Sequence, residues 1–99
     1  MNTKDKKRLE NLRLEFEANT ELSLGSWVKA KRWFNMPGQD FGTIYNYGLA
    51  DNNSLLIFFG QEERMGDSDW RYAKDIKAIN KNDYKIIEKL KPAPIKYQI

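Results

Sequence analysis

The chain has 99 residues, with 17 Lys+Arg against 14 Asp+Glu, no His, no Cys and 13% aromatics. That length holds one small domain and leaves no room for a separate catalytic unit. Without His or Cys there is no zinc site built on them, no thiol chemistry, no disulfide and no Ser–His triad, and a net charge of +3 is too mild by itself to announce nucleic acid.

Residues 3–19 read as an amphipathic helix capped by Thr3 or Asp5, with Leu9, Leu12 and Phe16 on one face. Glu10–Arg13 and Arg13–Glu17 set opposite charges one turn apart. Residues 1–24 carry equal numbers of acidic and basic side chains, so this helical segment is neutral. It is expected to pack across one end of a β domain spanning residues 25–99, or to dock on a partner. The opening residues are charged throughout and lack the apolar run of a signal peptide, so no targeting signal is expected. The longest apolar run, Leu55-Leu56-Ile57-Phe58-Phe59, is far too short to span a bilayer. A cytoplasmic protein without a membrane partner is expected.

From Gly25 onward the pattern changes to period two, with turn residues between runs. The first strand is expected over 27–34, where Val28 and Ala30 alternate with Lys29 and Lys31. After a turn at 36–39 comes a second strand over 40–47. It sets Phe41, Thr43, Tyr45 and Tyr47 on one face and Gly42, Ile44 and Asn46 on the other. Asp51-Asn52-Asn53 turns the chain into a third strand over 55–59. Residues 60–69 form an acidic loop, 70–79 read as either a short helix or a strand, and 84–90 and 95–99 supply the remaining strands. Strands this short must close on themselves or bury an edge. The expected fold is therefore mostly β with an N-terminal α-helix: a small five-stranded OB-type barrel, with an SH3-like barrel as the alternative.

Three runs stand out: Lys31-Arg32-Trp33-Phe34-Asn35, then Asp40-Phe41-Gly42-Thr43-Ile44, then Leu55-Leu56-Ile57-Phe58-Phe59. In order and approximate spacing they resemble the cold-shock domain. That family has a first strand ending in Lys-Trp-Phe-Asn, a second carrying Lys-Gly-Phe-Gly-Phe-Ile and a third carrying Val-Phe-Val-His-Phe. The resemblance covers residues 27–59 well and 60–99 loosely. Thr43 stands where the second motif has its second Phe, Gln39-Asp40 where it has Lys-Gly, and Leu56 and Phe58 where the third has Phe and His. The resemblance implies an OB fold that binds single-stranded nucleic acid.

Physically, such binding needs rings on which bases stack, each stack worth about 1–3 kcal/mol, and cations that track phosphates. The candidate platform is Trp33, Phe34, Phe41, Tyr45 and Phe58, with Lys29, Lys31 and Arg32 beside it. The same rings could instead fill the barrel. Strand alternation, however, cannot bury both Phe58 and Phe59, or both Trp33 and Phe34, without a bulge. A helix lying across Phe41 and Tyr45 would make them structural.

Residues 70–99 hold Arg71, Lys74, Lys77, Lys81, Lys85, Lys89, Lys91 and Lys96 against Asp75, Asp83 and Glu88. That excess is either a solvated surface or a phosphate-tracking stripe. Lys81, Lys85 and Lys89 recur every four residues, a spacing that would align on a helix. Trp70 and Tyr72 around Arg71 form a core pair or a notch for a methylated amine or a peptide. Glu62, Glu63, Asp67 and Asp69 match no calcium-loop spacing and read as a plain acidic loop rather than a hard-cation site, so neither metal nor cofactor is expected. The expected function is non-enzymatic binding of single-stranded RNA or DNA. The alternative is a small protein-interaction module, such as a phage-type inhibitor of a host protein. It is favoured by the altered motifs, the acidic loop and the added helix.

Overall fold

The computed structural model of the chain describes residues 1–62 and 69–99. Its first element, α1 (Thr3–Thr20), is capped by Asn2, whose side chain accepts from the Asp5 N–H at 2.8 Å. The cap thus sits one residue ahead of the expected Thr3. Leu9 and Phe16 are buried and Leu12 partly so, as their spacing requires. Glu21 closes the helix in the left-handed region at φ 61°.

The β strands are β1 (Trp27–Lys31), β2 (Gln39–Leu49), β3 (Leu55–Gly60), β4 (Trp70–Tyr72) and β5 (Lys77–Ala78). They form one antiparallel sheet in the order β4-β3-β2-β1-β5, with α1 packed on β2 and β3. Val28, Ala30, Ile44, Tyr47, Leu55, Ile57, Phe59 and Ile76 meet Leu9 and Phe16 in one core. Among the described residues no helix is long and apolar enough to cross a membrane.

Period two does not survive through β2. The β2–β3 register runs Ile44↔Phe59 and then Asn46↔Phe58, which leaves Tyr45 as an extra residue. This bulge moves Tyr47 to the same side as Ile44, whereas simple alternation groups Tyr47 with Phe41, Thr43 and Tyr45. Close approach of the backbone also fixes Gly42: a Cβ there would lie 2.5 Å from the Cα of Gly60.

The sheet curls until β4 approaches the end of β1, yet among the described residues no backbone ladder joins the two. A side chain spans the gap. Arg71, 3% exposed, donates to the Lys31 carbonyl from Nε at 3.1 Å and from Nη2 at 3.0 Å. Its Nη2 also meets Asp40 Oδ2 at 2.9 Å, and Nη1 donates to the Trp70 carbonyl at 2.8 Å. The planar guanidinium fork provides all of these donors from one rigid group.

Beyond β4 the chain differs from the sequence expectation. Residues 70–79 resolve into β4, a 3₁₀ turn (Ala73–Asp75) and β5. Residues 84–90, expected as a strand, begin instead with α2 (Tyr84–Ile87), which a 3₁₀ turn (Lys81–Asp83) leads into. The cause is local: Asn80 and Asp83 form a capping box, with the Asp83 carboxylate accepting from the Asn80 N–H at 2.8 Å. That bond and the Lys29 ammonium at 2.7 Å hold the Asp83 carboxyl below its ordinary pKa.

Residues 95–99, also expected as a strand, have no regular structure. The C-terminal segment wraps the sheet. Gln61 bridges Pro92, the Ala93 N–H donates to Thr43 Oγ1 at 2.8 Å, and the Lys96 N–H donates to the Tyr45 carbonyl at 2.9 Å. Tyr97 then reaches α1, donating to Glu10 at 2.9 Å, while Tyr47 donates to Glu17 at 2.8 Å. Arg13 lies between the two glutamates and pairs with both. Its hydrogen bond holds the Glu10 carboxyl below its ordinary pKa, and burial pushes the Tyr47 hydroxyl up. Of the acidic loop expected over 60–69, Gly60 instead ends β3 and Gln61 bridges Pro92, while residues 63–68, with the candidate cation ligands Glu63 and Asp67, lie outside the described residues.

Candidate nucleic-acid interface

The structure separates the eight candidate residues into three groups. Lys29, Phe41 and Tyr45 lie under the C-terminal segment. Lys29 is ion-paired with Asp83 at 2.7 Å, and Tyr45 is 7% exposed. Phe41 is half-buried and lines a cavity of about 280 Å³ with Ile86, Leu90, Asp40 and Asp69. The cover over Phe41 and Tyr45 is therefore the C-terminal segment, while α1 packs on the core side of the sheet.

Lys31, Arg32, Trp33 and Phe34 form the second group, at the end of β1 and in the turn after it. Lys31 and Arg32 are exposed, and Arg32 lies 3.4 Å from an Asp40 oxygen. Trp33 is half-buried. The Arg71 guanidinium carbon sits 4.1 Å above its ring, and Trp70 meets it edge-on with centroids 5.2 Å apart. Phe34 projects at 92% exposure.

Phe58 stands alone in the third group, half-buried on the β3 face directly opposite Trp70 in the β3–β4 pair. Its ring is 6.3 Å from that of Tyr45 and lies against Gly48, where a Cβ would come within 2.8 Å of it.

Two rings join this surface that the candidate set leaves out. Trp70 and Tyr72 are both half-buried on β4, in edge-to-face contact at 5.7 Å and 88°. The alternation Trp70-Arg71-Tyr72 carries the signal, but with the reverse of the usual polarity: the arginine points inward and the aromatics outward. Trp33, Trp70 and Tyr72 thus form a row of three rings along the sheet edge, with Phe58 beside its middle member.

Cations border one end of this row. Lys31, Arg32, Lys74 and Lys77 line a cavity of about 310 Å³ with Trp33, Arg71 and Asp75. Lys31, Lys74 and Lys77 make no ion pair among the described residues, so their ammonium groups are available to an outside anion. Among the described residues no cluster of three acidic side chains could hold a metal ion. Comparison with protein-family models, curated proteins and solved structures finds no match to this chain.

Proposed function

We propose that this protein is a non-enzymatic binder of single-stranded nucleic acid. Bases stack along the row of Trp33, Trp70 and Tyr72 with Phe58 beside it, and phosphates follow Lys31, Arg32, Lys74 and Lys77. One observation carries the reading: half-buried rings in contact with one another stand directly beside four cations facing a shared cavity. Stacking accepts any base and phosphate contact accepts any sequence, so little sequence preference is expected. Relative to the candidate set drawn from sequence, the surface keeps Lys31, Arg32, Trp33, Phe34 and Phe58. It assigns Lys29, Phe41 and Tyr45 to the junction with the C-terminal segment.

The cold-shock resemblance of residues 27–59 belongs to this proposal as the source of the stacking mode. Those residues form the three-strand meander β1–β2–β3, which both small barrels share. The remainder supports the SH3-like alternative. There β4 follows β3 in the meander, and a single 3₁₀ turn carries the chain from β4 to β5 beside β1. Side-chain closure by Arg71 is compatible with such a small, partly open barrel.

Titrating the protein's tryptophan fluorescence with a short oligopyrimidine tests the function. Quenching is expected at low ionic strength. The log of the affinity should fall against log salt with a slope of roughly −2 to −3, the release expected from about four phosphate contacts to a single strand. Reversing Lys31, Lys74 and Lys77 to Glu should abolish the quenching. Absence of salt-sensitive quenching by the unaltered protein refutes the proposal. Stoichiometric capture of a protein partner that survives nuclease treatment would then favour the protein-interaction module.

A further inference from the structure

Phe34 is the most exposed large apolar side chain among the described residues, at 92%. It occupies the first central position of a tight turn in which Phe34 has φ 59° and ψ 35°, Asn35 has φ 58°, and the Met36 N–H donates to the Trp33 carbonyl at 3.2 Å. Two successive positive φ angles make this a type I′ turn, a geometry that favours Asn or Gly at both centres. Asn35 suits its position. A phenylalanine at positive φ is strained, and neither the turn nor the core gives the ring anything in return.

The surroundings indicate what the ring meets. Lys31 and Arg32 lie just upstream of it, separated by Trp33, and with Lys74 and Lys77 they make this end of the molecule complementary to a polyanion. Trp33, Trp70 and Tyr72 pack against one another and offer only part of their surfaces. A ring at the tip of a turn has both faces open, so two bases can sandwich it. We propose that Phe34 is a wedge that inserts between neighbouring bases of a flexible single strand whose phosphates are held by Lys31 and Arg32. This rests on the nucleic-acid reading above and deepens it. It selects strands whose bases separate readily over stacked, paired ones.

Three variants test the wedge: Phe34→Asn, which suits the turn without a ring, Phe34→Gly, which also relaxes the turn, and Phe34→Tyr, which keeps a ring. Binding is read by anisotropy of a labelled oligothymidine, and folding by thermal melting. Phe34→Asn should melt several degrees higher than the parent yet bind between about fivefold and a hundredfold more weakly, the range set by one base–ring stack. Phe34→Gly should also bind more weakly, and Phe34→Tyr should bind within about twofold of the parent. If Phe34→Asn binds as tightly as the parent while Trp33→Ala does not, the wedge is refuted and the stacking surface stands. If the unaltered protein binds no oligothymidine, both readings fall together.

Discussion

At the scale of single residues, Arg71 joins the fold to the candidate site. Its guanidinium serves the Lys31 carbonyl, the Trp70 carbonyl and Asp40, and lies over the ring of Trp33. Position and chemistry are inseparable here, because only a planar fork satisfies three elements at once. Arg71→Met keeps much of the apolar stem but removes every donor. It is expected to lower stability by about 2–3 kcal/mol, less than a fully buried pair would lose because Asp40 can still reach water. Urea denaturation measures this; an unchanged midpoint would mean that β1 and β4 hold together without the bridge. The sequence gives little warning of Arg71, since an arginine between two aromatics on a strand normally points outward while the rings go in. What inverts the pattern is the curl of the sheet, which brings the Lys31 carbonyl and Asp40 within reach only in three dimensions.

At the scale of elements, local pattern decided some segments and tertiary contact decided others. Leu9, Leu12 and Phe16 are legible as a helix face, and the apolar run at 55–59 as a strand, because each needs only its own periodicity and a core to bury it. The bulge at Tyr45 is not legible: it exists because β2 must bend around the core, and no residue type at that position demands it. Residues 84–90 alternate Tyr, Ile and Glu with Lys and Ile, which suits a strand. The Asn80–Asp83 capping box and the four-residue spacing of Lys81, Lys85 and Lys89 were the competing helical signals, and for Tyr84–Ile87 they prevailed. The C-terminal segment is held on β2 partly through Thr43, whose fully buried hydroxyl accepts from the Ala93 N–H. Thr43→Val conserves shape and leaves that N–H unpaired, so a loss of about 1–3 kcal/mol is expected. Faster hydrogen exchange at Ala93 should accompany it. Equal exchange and stability in the variant would show that the segment is anchored elsewhere.

At the scale of the whole molecule, the modest net charge is unevenly placed. Residues 1–24 are neutral, and both of their arginines pair with acidic groups of the same helix, Arg8 with Asp5 and Arg13 with Glu10 and Glu17 beneath Tyr47 and Tyr97. Lys31, Lys74 and Lys77, drawn from β1, the 3₁₀ turn and β5, instead converge beside the aromatic row. That convergence is what the sequence could not display, because Lys74 and Lys77 lie more than forty residues from Lys31. Half of the candidate surface was legible at 31–34, where cations and rings are adjacent in the chain; the other half required β4 and β5 to be placed. The three tryptophans allow this arrangement to be tested directly. Trp33 and Trp70 belong to the proposed surface, whereas Trp27 begins β1, paired with Thr43. In a ¹H–¹⁵N spectrum titrated with oligothymidine at low salt, the indole N–H signals of Trp33 and Trp70 should move together while that of Trp27 stays in place. A spectrum that does not change, or one in which only Trp27 responds, would contradict the assignment of this surface to nucleic acid.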